Sequence, residues 1–277
     1  MNINEYIKSM MGADTSEKPL DRMIDGGGLT SIFRTIAVVG DSLSSGEFEG
    51  TVKGTAKKSY HDMFDYSWGQ YIAREAGCTV YNFSRGGMTA KEYMRNFANS
   101  QSMFDVKKAA QAYIIALGVN DIINQKQEIG KLGDMWDGDL TVEPADDKTT
   151  FCGYYCALIE RYKAIQPDAK FFLMSMPKGT GLNPIDDEKK EIVNKLLHEI
   201  AAHYTNTYVI DLYTYMPANA GEYREMFYLG GHLNPMGYIF TAKVVMSYID
   251  YIIRHNREDF IQVPFIGIGT HNYDAKW

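Results

Sequence analysis

Cysteine is scarce in this chain: Cys78, Cys152 and Cys156 are the only three in 277 residues. An odd, low count fits reduced thiols rather than a disulfide framework. Cys152 and Cys156 stand one turn apart on an expected helix. No second pair of Cys or His lies at ligand spacing, so their expected role is packing, and neither a metal nor a cofactor is expected. A basic excess is missing as well. The formal net charge is −7 and no basic stripe runs through the chain, which argues against a nucleic-acid partner. There is no apolar run of signal-peptide or bilayer-spanning length. The expectation is a soluble, cytoplasmic protein without a membrane partner. Internal repeats and low-complexity tracts are absent too.

What is there is alternation. Five short runs rich in Val, Ile, Tyr and Phe read as strands apolar on both faces: TIAVVG (35–40), TVYNF (79–83), AYIIALG (112–118), AKFFLMSM (169–176) and NTYVIDL (206–212). Between them lie stretches with helical spacing, among them FCGYYCALIERYKAI, which Gln166-Pro167 ends, and the segment opened by Pro184 and its acids. Strand and helix repeated in this way predict a parallel sheet with helices on both faces. Residues 1–30 read as an N-terminal arm, 31–255 as the domain, and 256–277 as a tail lying against it. Three long loops are expected at the carboxyl edge of the sheet, over 43–64, 119–148 and 177–184. Ligands of such sheets bind at that edge, and long loops there often cover a site.

The same edge collects the residues suited to chemistry. The first strand ends in Gly40-Asp41-Ser42-Leu43, a sharp turn that exposes a serine. The second runs into Ser84-Arg85-Gly86-Gly87, where glycines make a plain turn or leave a backbone N–H facing a bound anion. The third runs into Gly118-Val119-Asn120-Asp121, where Asn120 is either a helix cap or a fixed amide donor. Before the last helix stands Gly230-Gly231-His232-Leu233-Asn234-Pro235. Of six histidines, only His232 lies between glycines and a helix-starting proline. His198 and His203 fall on a helix, and His61 in the first long loop.

These four strings, in this order and at these places, resemble the blocks of the SGNH (GDSL-like) hydrolase family from about residue 35 to 254. A Gly-x-Ser-x-Gly elbow is absent, since Leu43-Ser44 follow Ser42. The resemblance implies a three-layer α/β/α sandwich with a flavodoxin-like five-stranded parallel sheet in order 2-1-3-4-5. It implies a carboxylic ester hydrolase with Ser42 as nucleophile and His232 as base. The oxyanion hole would be formed by the Ser42 and Gly87 N–H groups and the Asn120 amide, with Gly86 as the alternative register for Gly87.

The chain departs from the family at one place. The family's acid stands three residues before the histidine, and Leu229 occupies that position. The expected replacement is a main-chain carbonyl near Leu229, with Glu222, Glu225 or Asp211 as carboxylate alternatives. The polar, acidic 119–148 segment and the loop aromatics Phe48, Tyr60 and Trp136 suggest a short acyl ester, such as an O-acetyl group on a carbohydrate. The other readings are a weakly active or non-catalytic carbohydrate-binding protein on the same fold, or a lysophospholipase or thioesterase. The expected partner is a small-molecule ester, and the oligomeric state is not legible.

Overall fold

The apolar runs become the strands of one parallel sheet in the computed structural model, which describes residues 2–10, 14–179 and 183–264. These strands are β1 (Thr35–Gly40), β4 (Thr79–Ser84), β5 (Ala112–Ala116), β6 (Lys170–Met174) and β7 (Thr207–Ile210). Their order is β4-β1-β5-β6-β7, all neighbours parallel. Counted within the sheet this is 2-1-3-4-5, the flavodoxin-like order of the SGNH fold. Successive side chains of a strand point to opposite faces, and two cores follow from that. Ala37, Val39, Tyr113, Ile115, Phe171 and Leu173 build one; Ile36, Val38, Ala112, Ile114 and Phe172 build the other.

Helices close both faces. The longer ones are α1 (Ile3–Met10), α2 (Trp68–Ala76), α3 (Phe151–Ile165), α4 (Pro184–His203), α5 (Gly221–Phe227) and α6 (Pro235–His255). Helices α3 and α4 cover the first core, α2 and α6 the second. Local chemistry sets their starts: Ser67, Thr150 and Asn234 each accept a backbone N–H three residues on. By length and composition α6 is apolar enough to cross a bilayer, which the sequence reading did not find. Here its apolar residues, Val244, Val245, Ile249 and Ile252 among them, are buried against the sheet.

The N-terminal segment lies along α6. Ile24 N–H donates to Ser247 Oγ (3.1 Å) and Leu29 N–H to Asp250 Oδ1 (3.0 Å), while Glu17 pairs with Arg254. At the other end, Phe260 packs on Phe33 and Tyr208, and Gln111 Nε2 donates to the Pro264 carbonyl (2.7 Å). The rest of the expected tail, 265–277, lies outside the described residues.

Two of the expected loops carry structure. The 43–64 segment is not a loop: after a single turn, Ser42–Ser45, it forms an antiparallel hairpin, β2 (Glu47–Thr51) and β3 (Lys58–Asp62). The 119–148 segment opens with a helical turn, Val119–Asn124, and its irregular remainder is tied down. Arg95 and Tyr154 share the Asp147 carboxylate, and Trp136 packs on Tyr154 at 5.2 Å. Of 177–184, residues 180–182 lie outside the described residues. A second hairpin, β8 (Tyr228–Leu229) and β9 (His232–Leu233), precedes α6.

Candidate active site

Register places the site. Gly40, the last residue of β1, pairs with Ser84 of β4 on one side and Ala116 of β5 on the other. Three strands therefore end level, and the turns leaving them lie side by side. A Cβ on Gly40 would stand 2.3 Å from Ser44 Oγ, so the Ser42–Ser45 turn closes this tightly only over glycine. Asp41 caps that turn by accepting Leu43 N–H at 3.0 Å.

The turn after β4 puts Gly87 at φ +71°, the left-handed region that favours glycine, with no atom within 4 Å of the place its Cβ would take. The turn after β5 presents Asn120. Its Nδ2 donates to the Met88 carbonyl (3.1 Å) and, more loosely, to Asp41 Oδ2 (3.4 Å), while its Oδ1 accepts from Asn124 (2.7 Å). One amide thus ties the three strand ends together. Beneath it Asp121 is fully buried and accepts the Ala90 N–H through Oδ1 (2.8 Å). Burial pushes both acids up to about 7, opposed by the N–H groups they accept; Glu47 beside Asp41, and Asp41 beside Asp121, add to the rise.

His232 enters from the β8–β9 hairpin. Ser42, Gly87, Asn120 and His232 all line one cleft of about 560 Å³ at the carboxyl end of the sheet. Met174, Met176, Leu212 and Met216 furnish an apolar wall, and Asn124, Lys190 and Asn219 polar points on the lining. Among the described residues, no three His, Cys, Asp or Glu side chains converge as a metal site.

The expected partners of His232 are not those the structure brings to it. Asp211 caps the Leu212–Tyr215 turn and pairs with His198 Nε2 at 3.1 Å. Glu222 and Glu225 are exposed on α5, and neither has a hydrogen bond or ion pair to the ring. Leu229 is the β8 residue opposite His232, and Nδ1 of that histidine is buried with no hydrogen-bonded acceptor, from the Leu229 carbonyl or elsewhere. The groups that do reach the ring come from β2. Glu47 Oε1 is 2.9 Å from Nε2 and Glu49 Oε2 is 3.5 Å from Nδ1. The sequence reading missed both, although Glu-Phe-Glu carries the period of two that puts alternate side chains on one strand face.

Of the three loop aromatics, one is at the cleft. Tyr60 lines it and meets the His232 ring edge-on at 5.6 Å. Phe48 packs instead on Tyr238 and Tyr66, and Trp136 on Tyr154, because each is the apolar cover of its own loop. His61 is exposed on β3, in register with Phe48.

Residues 38–239, well over half the chain, match the profile of the GDSL-like Lipase/Acylhydrolase family. The chain belongs to that family. Membership makes this GDSL-like protein a carboxylic ester hydrolase. Solved structures agree on the fold. A Lactobacillus plantarum protein is 19% identical, with a TM-score of 0.55 over 79% of this chain and 97% of its own. A family two carbohydrate esterase from Clostridium thermocellum, in complex with cellohexaose, is 18% identical, with a TM-score of 0.53 over 89% of this chain and 67% of its own. A family two enzyme from Corynascus thermopiles that also carries a carbohydrate-binding domain is 19% identical, with a TM-score of 0.52 over 78% and 65%. No curated protein matches the chain.

Proposed function

We propose that this GDSL-like hydrolase cleaves short acyl esters, with O-acetyl groups on carbohydrates as the substrate class, by a Ser42–His232 mechanism. One observation carries the reading: a hydroxyl, an imidazole, a backbone amide on an unobstructed glycine and a side-chain amide line the same cleft. A serine hydroxyl is a weak nucleophile until a neighbouring base takes its proton. In this reading Ser42 Oγ attacks the ester carbon while His232 accepts the proton. The histidine then returns it to the departing alcohol, and water repeats the cycle on the acyl-serine. The oxyanion is held by the Ser42 and Gly87 N–H groups and by Asn120 Nδ2. For Asn120 the loose 3.4 Å contact to Asp41 is the hydrogen bond most readily exchanged for the oxyanion.

Polar groups on the cleft lining support a polar leaving group. Tyr60 is half exposed beside His232, with Lys190 and Asn219 on the lining, a setting in which a sugar face stacks and its hydroxyls find partners. The likeness in fold to two family two carbohydrate esterases, one in complex with cellohexaose, supports a sugar substrate. A fluorophosphonate probe should label the wild-type protein and leave Ser42→Ala unlabelled, and His232→Gln should lose turnover. With nitrophenyl esters from acetyl to octanoyl, kcat/KM should peak at the short end. Absence of labelling would refute the nucleophile assignment, and an optimum at octanoyl or beyond would refute the short-acyl assignment.

A further inference from the structure

A histidine that works as a base through one ring nitrogen needs its other N–H held, or the ring takes the wrong tautomer. Position 229 supplies no carboxylate, and the Leu229 side chain is 55% exposed. The two β2 carboxylates that flank His232 are not equivalent. Glu47 lines the cleft together with Ser42. Its Oε2 occupies the space beside Gly86, where a Cβ would stand 2.3 Å away. Glu49 lies behind the ring, outside the cleft lining, and is fixed there by Lys58 Nζ (2.5 Å) and the Gly231 N–H (2.8 Å). The ring nitrogen beside Glu47, Nε2, therefore faces the cleft, and Nδ1 is turned back toward Glu49. Nδ1 is buried and has no hydrogen-bond partner at rest. Glu49 Oε2 is 3.5 Å away, and a contraction of roughly half an ångström makes that contact a hydrogen bond. Such bonds are commonly long in unliganded sites and tighten with substrate.

We propose that Glu49 is the positioning residue for His232. From β2 it accepts a hydrogen bond from Nδ1–H, in place of a carboxylate on the histidine's own loop, while Glu47 is the resting partner of Nε2 and gives way when an ester enters. The inference rests on the Ser42–His232 reading and adds to it the group that orients the base. The charged and titratable groups around the ring are Glu47 and Glu49 of β2, Lys58, Tyr60 and Asp62 of β3, Asp41 beyond β1, Tyr228 of β8, Arg224 of α5 and Tyr238 of α6.

The test compares Glu49→Gln, Glu49→Asp and Glu47→Gln in the intact chain, by pH–rate profiles and melting temperature. Glutamine at 49 can still accept the Gly231 N–H, so the hairpin keeps that tie. The expected result for Glu49→Gln is a fall in kcat of about 10²–10⁴ with KM little changed. The acid limb of kcat/KM should also move down by roughly one pH unit or more, because the imidazolium has lost a facing carboxylate. Glu49→Asp should recover part of the loss, and Glu47→Gln, which removes the resting partner of Nε2, should lower kcat less than Glu49→Gln does. A hairpin-packing role alone would lower the melting temperature and leave the pH profile in place, and that result overturns the proposal. So does a profile that moves in Glu47→Gln and not in Glu49→Gln. Fluorophosphonate labelling of the same proteins separates the two claims. If wild type is not labelled at Ser42, the catalytic reading falls and this inference falls with it. If labelling is intact and Glu49→Gln is kinetically silent, this inference falls alone.

Discussion

Replacing Asp121 by asparagine should flatten the dependence of stability on pH. Asp121 is completely buried under the Asn120 amide; its Oδ1 accepts the Ala90 N–H and its Oδ2 has no partner. Burial raises the carboxyl from 3.8 to about 7, with Asp41 adding to the rise. The folded state therefore holds the proton more tightly than the unfolded chain. The stability tied to that proton is fully present below the ordinary carboxylate range and is lost as pH climbs toward about 7. A shift of about three units corresponds to ~4 kcal/mol, of which roughly 3 kcal/mol falls between about pH 5 and pH 8.5. At about 2.1 cal/mol/K per residue, a chain of 277 residues has an unfolding entropy near 0.6 kcal/mol/K, so that loss is about 5 °C in Tm. In Asp121→Asn the amide oxygen still accepts the Ala90 N–H and nothing ionises. Scanning calorimetry across that pH range should show the wild-type Tm falling by about 5 °C more than the variant's. The two proteins should converge at the acid end, where the wild-type side chain is itself neutral. Parallel Tm curves would refute the argument, because they would mean that Asp121 ionises freely where it lies.

Three other outcomes follow from the same geometry. Asn120→Ala should lower kcat about 10²–10³-fold with a smaller effect on KM, measured by steady-state ester hydrolysis, since it removes one proposed oxyanion donor. Gly237→Ala should lower stability by about 1–3 kcal/mol in denaturant titration and reduce turnover as well. Its Cβ would stand 2.2 Å from the Phe227 carbonyl and 3.0 Å from Leu233 Cδ2, which pushes on the hairpin that carries His232. Arg254→Met should cost about 3–5 kcal/mol by leaving the carboxylates of Glu17 and Asp250 buried without their guanidinium. Limited proteolysis should then cut within residues 14–30, two of whose ties to α6 run through those acids.

The sheet was legible in the sequence because each strand is buried on both faces, and runs such as TIAVVG have no other favourable fate than the middle of an α/β sheet. Their order followed from the family blocks rather than from periodicity. Ser42, Gly87, Asn120 and His232, which line one cleft, were legible as candidates because glycines and short polar residues cluster at strand ends. The carboxylates beside His232 were not. Between Ser42 and Phe64 the chain is mostly polar, and Leu43 and Phe48 are only partly buried against the second core, so a weak period-two pattern in Glu47-Phe48-Glu49 read as loop. Phe48 then revealed its role only through packing on Tyr238 and Tyr66. Asp211 was misleading for the opposite reason. A strand-end acid has two ordinary uses, capping a helix or serving a site, and here the Thr214 N–H and His198 take it.

On the proposed assignment, the two β2 glutamates account for the lack of a carboxylate on the histidine's own loop. An orienting acid must stay ionised while the imidazole gains and loses its proton, and it must not compete for that proton. Glu49 meets both needs: the Lys58 ammonium, then the Gly231 N–H, pull it down to about 2, so it stays anionic at any pH where the base works. Glu47 stands one pleat away on the same strand and is pushed up instead, chiefly by burial, with Asp62 and Glu49 adding and His232 opposing. Environments that drive neighbouring acids apart in this way commonly mark a division of roles. The acid suited to sit beside an imidazolium is the one that resists protonation. The acid pushed up instead faces the cleft, beside Ser42 on its lining, where it meets the nitrogen that must be left open for an ester.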